Sequence, residues 1–140
     1  MKTPIPDEFE ISSIVYSIVS DICSQIHTQA AEHVSFAAVA SRYILIHIDE
    51  KFNLDTFSQY MNMSKFYFCR KFKEEFSCSP FEYIQQQKIN KAKRILIFTS
   101  LSISEIAYNL AFYDQSHFCK VFTRLTGVSP NKFRKTYSKI

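Results

Sequence analysis

Phe68-Cys69-Arg70-Lys71-Phe72, followed by Ser79-Pro80 and Tyr83, recurs as Phe118-Cys119-Lys120-Val121-Phe122, followed by Ser129-Pro130 and Phe133. Every anchor shifts by fifty residues. A period of that size marks a repeated supersecondary unit, and here there are two copies. Within each copy the aromatic pair is spaced by four, so both rings fall on one face of a helix. The Ser-Pro pair then opens a further helix, because proline fits a first helical turn.

Working outward, the composition supports helices throughout. The chain has 140 residues with one glycine, four prolines, fourteen Phe and eight Tyr. So few turn-formers argue against a β-sandwich or barrel, which needs a turn about every 8–12 residues. The expected class is all-α with an aromatic core. Net charge is +4, unevenly spread. Residues 1–63 carry three Lys/Arg against eight Asp/Glu, a balance of −5, and residues 64–140 carry fourteen against five, a balance of +9. That asymmetry reads either as a site for a polyanionic partner or as a solvated basic face. The four cysteines form no CxxC pair, and His27, His33 and His47 are not spaced as ligands, so no metal or cofactor is expected. No nucleophile–base set and no glycine loop occur, which argues against an enzyme. No apolar run reaches membrane-span length, and no signal peptide is evident, so cytoplasm is the expected location.

The apolar pattern predicts an N-terminal amphipathic helix over 9–28, with a stripe at Ile11, Ile14, Val15, Ile18, Ile22 and Ile26. A helix over 37–51 follows, directing Tyr43, Ile44, Ile48 and Phe52 to the core. Asn53 reads as the N-cap of a short helix, 54–61, and Ser64 as the cap of the next, 64–76. Ser79-Pro80 starts the longest helix, 80–98, with Phe81, Ile84, Ile89, Ala92, Ile95 and Leu96 expected on its apolar side. Lys88, Lys91, Lys93 and Arg94 are expected on its solvated or phosphate-facing side. The second copy begins at Ser102, continues from the Asp114 cap to 125, and ends in a short helix from Pro130 to Tyr137.

Helix, tight turn, helix is the arrangement of a helix-turn-helix DNA reader. It needs a small residue at the crossing, a residue tolerant of a left-handed turn, and apolar anchors on the second helix. Ser58 and Ala107, Asn62 and Ala111, and Phe68/Phe72 and Phe118/Phe122 occupy those places. With the anchors inward, Lys65, Phe66, Cys69, Arg70 and Lys73 face outward in the first copy. Gln115, Ser116, Cys119, Lys120 and Arg124 do so in the second. Such side chains hydrogen-bond base edges and phosphates in a major groove. Tyr67 and His117 lie at the flank, where core and groove are both open readings. Phe66 packs either on thymine methyl groups or against its own unit.

Residues 39–137 resemble the C-terminal DNA-binding domain of the AraC/XylS family of bacterial transcription regulators. The resemblance rests on Ile106-Ala107, Phe112-x-Asp114-x-Ser116-x-Phe118-x-Lys120-x-Phe122 and Thr126-Gly127-Val128-Ser129-Pro130 through Phe133-Arg134. In the first copy it rests on Leu54-x-x-Phe57-Ser58, Ser64, Phe68-x-Arg70-x-Phe72 and Ser79-Pro80-x-x-Tyr83. It implies two helix-turn-helix subdomains joined by one long helix, with a division at 1–36 and 37–140. It further implies sequence-specific binding of double-stranded DNA, an activator's contact with RNA polymerase, and work at the bacterial nucleoid. The two recognition helices would enter successive major grooves ~34 Å apart. Lys132, Arg134 and Lys135 read either as clamps on the DNA backbone or as a solvated face.

Three positions where the family favours glycine hold Asn62, Ser77 and Ala111, and Lys88 stands where an arginine is usual. Either the second turn is built differently, helped by one extra residue at Tyr113, or Ala111 is strained. In longer family members the reader follows a sensor and dimerisation domain, for which 140 residues leave no room. The 11–26 stripe therefore reads as a homodimerisation helix, a remnant, or an extra core helix. A rival reading from another class is a helical protein-interaction module that uses 11–26 and no longer binds DNA.

Overall fold

The computed structural model describes residues 35–138, which form seven helices and, among those residues, no strand. They are α1 (Phe36–Ile46), α2 (Leu54–Tyr60), α3 (Lys65–Phe76), α4 (Pro80–Phe98), α5 (Ile103–Asn109), α6 (Gln115–Thr126) and α7 (Pro130–Tyr137). The amphipathic helix expected over 9–28 lies outside the described residues. The helix expected over 37–51 stops earlier, at Ile46, and a turn follows in which the Glu50 N–H donates to the His47 carbonyl at 3.1 Å. Ile48 is buried from that turn rather than from the helix.

Side-chain caps set the helix starts. Asn53 Oδ1 accepts from the Asp55 and Thr56 amides at 2.9 and 3.2 Å, and Asp114 Oδ1 accepts from the His117 amide at 2.6 Å. Ser79 with Glu82 and Ser102 with Glu105 form two reciprocal capping boxes. Each satisfies amide donors that a helix start leaves without partners. The Ser79 backbone N–H holds the Glu82 carboxyl below the usual range, and the Ser102 hydroxyl does the same for Glu105.

The buried side chains divide into two clusters. The first holds Phe36, Ala40, Ile44, Ile48, Phe57, Phe68, Phe72 and Ile84. Its centre is aromatic: the Phe57 ring lies 4.7 Å from Phe68 and stacks on Tyr43 at 4.3 Å. The second holds Ile89, Ala92, Leu96, Ile103, Ile106, Ala107, Leu110, Phe118, Val121 and Phe122. Ile106 takes the place that Phe57 has in the first, so the second core is mostly aliphatic. Helix α4 contributes to both. Phe81, expected on its apolar side, is instead 54% exposed, because Pro80 and Ile84 set the buried face of α4's first turn and leave Phe81 at its flank, its ring 6.4 Å from Phe52.

The two tight turns are built alike. The Met63 amide donates to Ser58 O and the Phe112 amide to Ala107 O, both at 3.0 Å. Asn62 sits at φ 53° and Ala111 at φ 51°, both left-handed. The extra residue, Tyr113, falls after this turn and before the Asp114 cap, so it does not relieve Ala111. Ser77 and Gly127 close α3 and α6 in the same left-handed region, at φ 59° and 80°. The second of the two alternatives is therefore the one realised: Ala111 is strained.

Ala111→Gly is expected to stabilise the protein by about 0.5–1 kcal/mol, the left-handed penalty less glycine's extra unfolded-state freedom; a lower melting temperature would contradict the strain. Phe72→Ala and Phe122→Ala are each expected to cost about 3–5 kcal/mol as fully buried rings, and an unchanged melt in both would show that these faces do not hold the fold. For Glu82 and Glu105, folded values lie below unfolded ones. Their contribution is complete above the ordinary carboxylate value of about 4.3 and is lost as pH falls through the folded values. The double variant E82Q/E105Q is expected to show a flatter fall of melting temperature between about pH 5 and 3 than the wild type; equal steepness would count against the capping boxes.

Candidate nucleic-acid interface

The fixed inner faces of α3 and α6 decide what their outer faces offer. Phe68 and Phe72, and Phe118 with Val121 and Phe122, are buried. Helical periodicity then exposes Lys65, Phe66, Tyr67, Arg70 and Lys73 on α3. On α6 it exposes Gln115, Ser116, His117, Lys120 and Arg124. All ten lie on two helices that occupy equivalent places in the two copies.

Several of these side chains are already engaged. The Lys65 ammonium pairs with the Asp55 carboxylate on α2, with both groups more than half exposed. The Arg70 guanidinium lies 5.3 Å over the Tyr67 ring and 3.8 Å from the Glu74 carboxylate, one turn on. Exposed pairs of this kind contribute little to stability, so these cations are available to a stronger anion. Phe66 is 79% exposed, which removes the reading in which it packs within its own unit. His117 meets the edge of Phe112 at 5.7 Å and remains exposed.

Three of the sequence-predicted residues are placed differently. Cys69 and Cys119 were expected to face outward, but both are partly buried and pack against the first and second cores. A small side chain beside the Phe68 or Phe118 anchor settles into the groove with it. Burial pushes the Cys119 thiol above its ordinary value, which makes it a poor nucleophile. Arg124 is exposed overall, yet one guanidinium nitrogen donates to Gln85 Oε1 on α4 at 2.8 Å. It braces α6 against the linker helix.

Of the other cations, Lys88 and Arg134 differ from expectation. Lys88 was expected on a solvated face and is 6% exposed. Its Nζ donates to the Glu50 carbonyl at 2.9 Å and the Leu110 carbonyl at 2.7 Å, and lies 5.7 Å over the Phe112 ring. The spacing Ile84, Lys88, Ala92 carried that signal, since residues four apart share a helix face. Its charge misled, because lysines are seldom buried. Lys91 pairs with Asp49 at 2.5 Å. Arg134, expected as a backbone clamp, is partly buried and donates to the Leu101 carbonyl, tying α7 to the segment before α5. Lys132 and Lys135 are exposed. Among the described residues no group of three His, Cys, Asp or Glu could hold a metal, and no helix is long and apolar enough to cross a membrane.

Known proteins share this arrangement. A family profile described as a helix-turn-helix domain matches residues 57–136. The chain is 34% identical over 88 residues to the HTH-type transcriptional regulator YdiP of Escherichia coli, covering 63% of this chain and 29% of that protein. It is 31% identical over 96 residues to the arabinose operon regulatory protein of Escherichia coli, covering 68% and 33% respectively. The chain thus spans about a third of the length of these relatives. Among solved structures, the C-terminal domain of AraT, a response regulator from Geobacillus stearothermophilus, superposes with TM-score 0.69 at 30% identity, covering 72% of this chain and 84% of that one. The DNA-binding domain of the global transcriptional factor AdpA, solved in complex with a target DNA, superposes with TM-score 0.68 at 27% identity, covering 71% and 90%.

Proposed function

The chain belongs to the AraC-type helix-turn-helix family, and on that premise we propose that residues 37–140 form a sequence-specific DNA-binding unit of a transcription regulator. The observation that carries the reading is the doubled arrangement of α3 and α6. Each has an aromatic inner face fixed by its own core and an exposed outer face of groups suited to base edges and phosphates. On this reading Arg70, Lys73, Gln115, Ser116 and Lys120 contact base edges and phosphates in two major grooves. Lys65, Tyr67 and His117 flank them, and the exposed Phe66 ring meets thymine methyl groups. Cys69 and Cys119 support the helices from beneath, and Arg124 braces α6. The copies differ in sequence, so the site read is asymmetric.

The family membership supports an activator acting through RNA polymerase in the bacterial cytoplasm. Residues 11–26 are the proposed self-association segment.

Arg70→Ala and Lys120→Ala are each expected to weaken specific binding by about 1–3 kcal/mol and to leave the melting temperature nearly unchanged. Anisotropy titration on DNA selected from random duplexes measures this, and undiminished affinity in both variants would count against the assigned faces. Binding should also weaken steeply with salt, since each phosphate contact released adds about −0.9 to the log–log slope. A salt-independent interaction would favour an apolar protein partner instead.

A further inference from the structure

Helix α4 serves both cores, and the boundary between them falls within it. Ile84 belongs to the first cluster and Ile89 to the second. Among the described residues the buried polar side chains are Ser58, Gln85 and Lys88, and the last two lie at this boundary. Ser58 is explained by the helix crossing of the first copy. The other two concern the relation between the copies.

Lys88 bonds to both sides of it. The Glu50 carbonyl belongs to the turn that leads into α2, and the Leu110 carbonyl is the C-cap of α5, inside the second tight turn. A carbonyl at a helix C-terminus carries partial negative charge and has no intrahelical donor, so an ammonium suits it. The neighbouring surface is otherwise open. A cleft of about 830 Å³ separates the two halves there, lined by Phe52, Phe81 and Lys88 together with Phe112, Tyr113 and His117. Apolar packing therefore does not weld the halves together on this side. Burial pushes the ammonium's pKa down while Asp49 acts in the opposite sense. A buried cation held chiefly by neutral carbonyls is an expensive way to fill space, since an apolar side chain of similar size would fill it without desolvating a charge.

We propose that Lys88 is a positioning residue: its ammonium, shared between backbone carbonyls of the two copies, fixes the angle and separation at which α3 and α6 are offered to one duplex. The inference rests on the DNA-reading function proposed above. Gln85 and Lys91, one turn to either side on α4, extend the same seam through Arg124 of α6 and Asp49 after α1. Each half keeps its own hydrophobic core, so loss of Lys88 alters their relation before it alters either half.

Two measurements on the full chain test this with K88M, which keeps length and removes the donors, and K88R, which keeps a cation. The first uses amide residual dipolar couplings without DNA. Wild type and K88R are expected to fit one alignment frame, whereas in K88M the residues of α2–α3 and of α5–α6 need separate frames. The second uses selected two-half-site DNA with spacers lengthened by one to about five base pairs, half a helical turn. Wild type should prefer one spacing sharply. K88M should bind that DNA about 10-fold more weakly, with a flattened spacing profile, as a loosened tether lowers the effective concentration of the second reader, and K88R should restore both. A K88M chain that keeps the single frame and the wild-type spacing profile overturns the proposal. So does one that fails to fold, because Lys88 would then be part of the fold rather than a positioning group. If the wild type binds no DNA, the proposed function fails while the dipolar couplings still decide the role of Lys88.

Discussion

One nineteen-residue helix is shared between two hydrophobic cores, and most of the structure follows from that constraint. Because successive turns of α4 face the same way, a stripe that begins in the first core at Ile84 continues into the second at Ile89, Ala92 and Leu96. The recognition helices are then held by aromatic anchors against cores that themselves rest on this one rod. Phe72 and Phe122 occupy the same place in the two copies, so α3 and α6 inherit corresponding outer faces. A duplex-reading pair needs two rigid helices in a fixed relation, and a shared helix supplies that with few parts.

The two cores solve the same packing problem with different side chains. Phe57 in the first is Ile106 in the second, and the company differs: Tyr43 stacks on Phe57, while Ile106 lies in a buried cluster that includes Leu110 and Val121. The backbone of the tight turn is nevertheless reproduced down to its hydrogen bonds. Geometry is thus kept where it sets the direction of the recognition helix. Side-chain identity is free to vary where only volume must be filled. Ala111 in a left-handed conformation shows how firmly the turn is imposed, since the surrounding contacts overcome a local preference.

Much of the architecture was legible in the residues because caps and periodicities are local. Asn53, Ser64, Ser79, Ser102, Asp114 and Ser129 each start a helix where a side-chain oxygen can meet a free amide. The spacing of Phe68 with Phe72, and of Phe118 with Phe122, identified the buried faces and hence the exposed ones. Cys69 and Cys119 were harder to place, because at the flank of a stripe a small side chain is buried or exposed according to its neighbours. The end of α1 at Ile46 was likewise hidden, since the turn after it is fixed by contacts with distant residues.

What the sequence by itself determined was the doubled helix-turn-helix plan, carried by a fifty-residue repeat, and the caps and inner faces of its helices, which follow from spacings shorter than two turns. The tertiary structure alone decided which charges are spent within the protein. Lys88, Arg124 and Arg134 read in the sequence as solvated or DNA-facing cations. Each finds an acceptor more than twenty residues away, on Leu110, Gln85 and Leu101 respectively. A long flexible cation goes where an unpaired carbonyl or amide oxygen waits for it, and that place exists only once distant segments have been brought together.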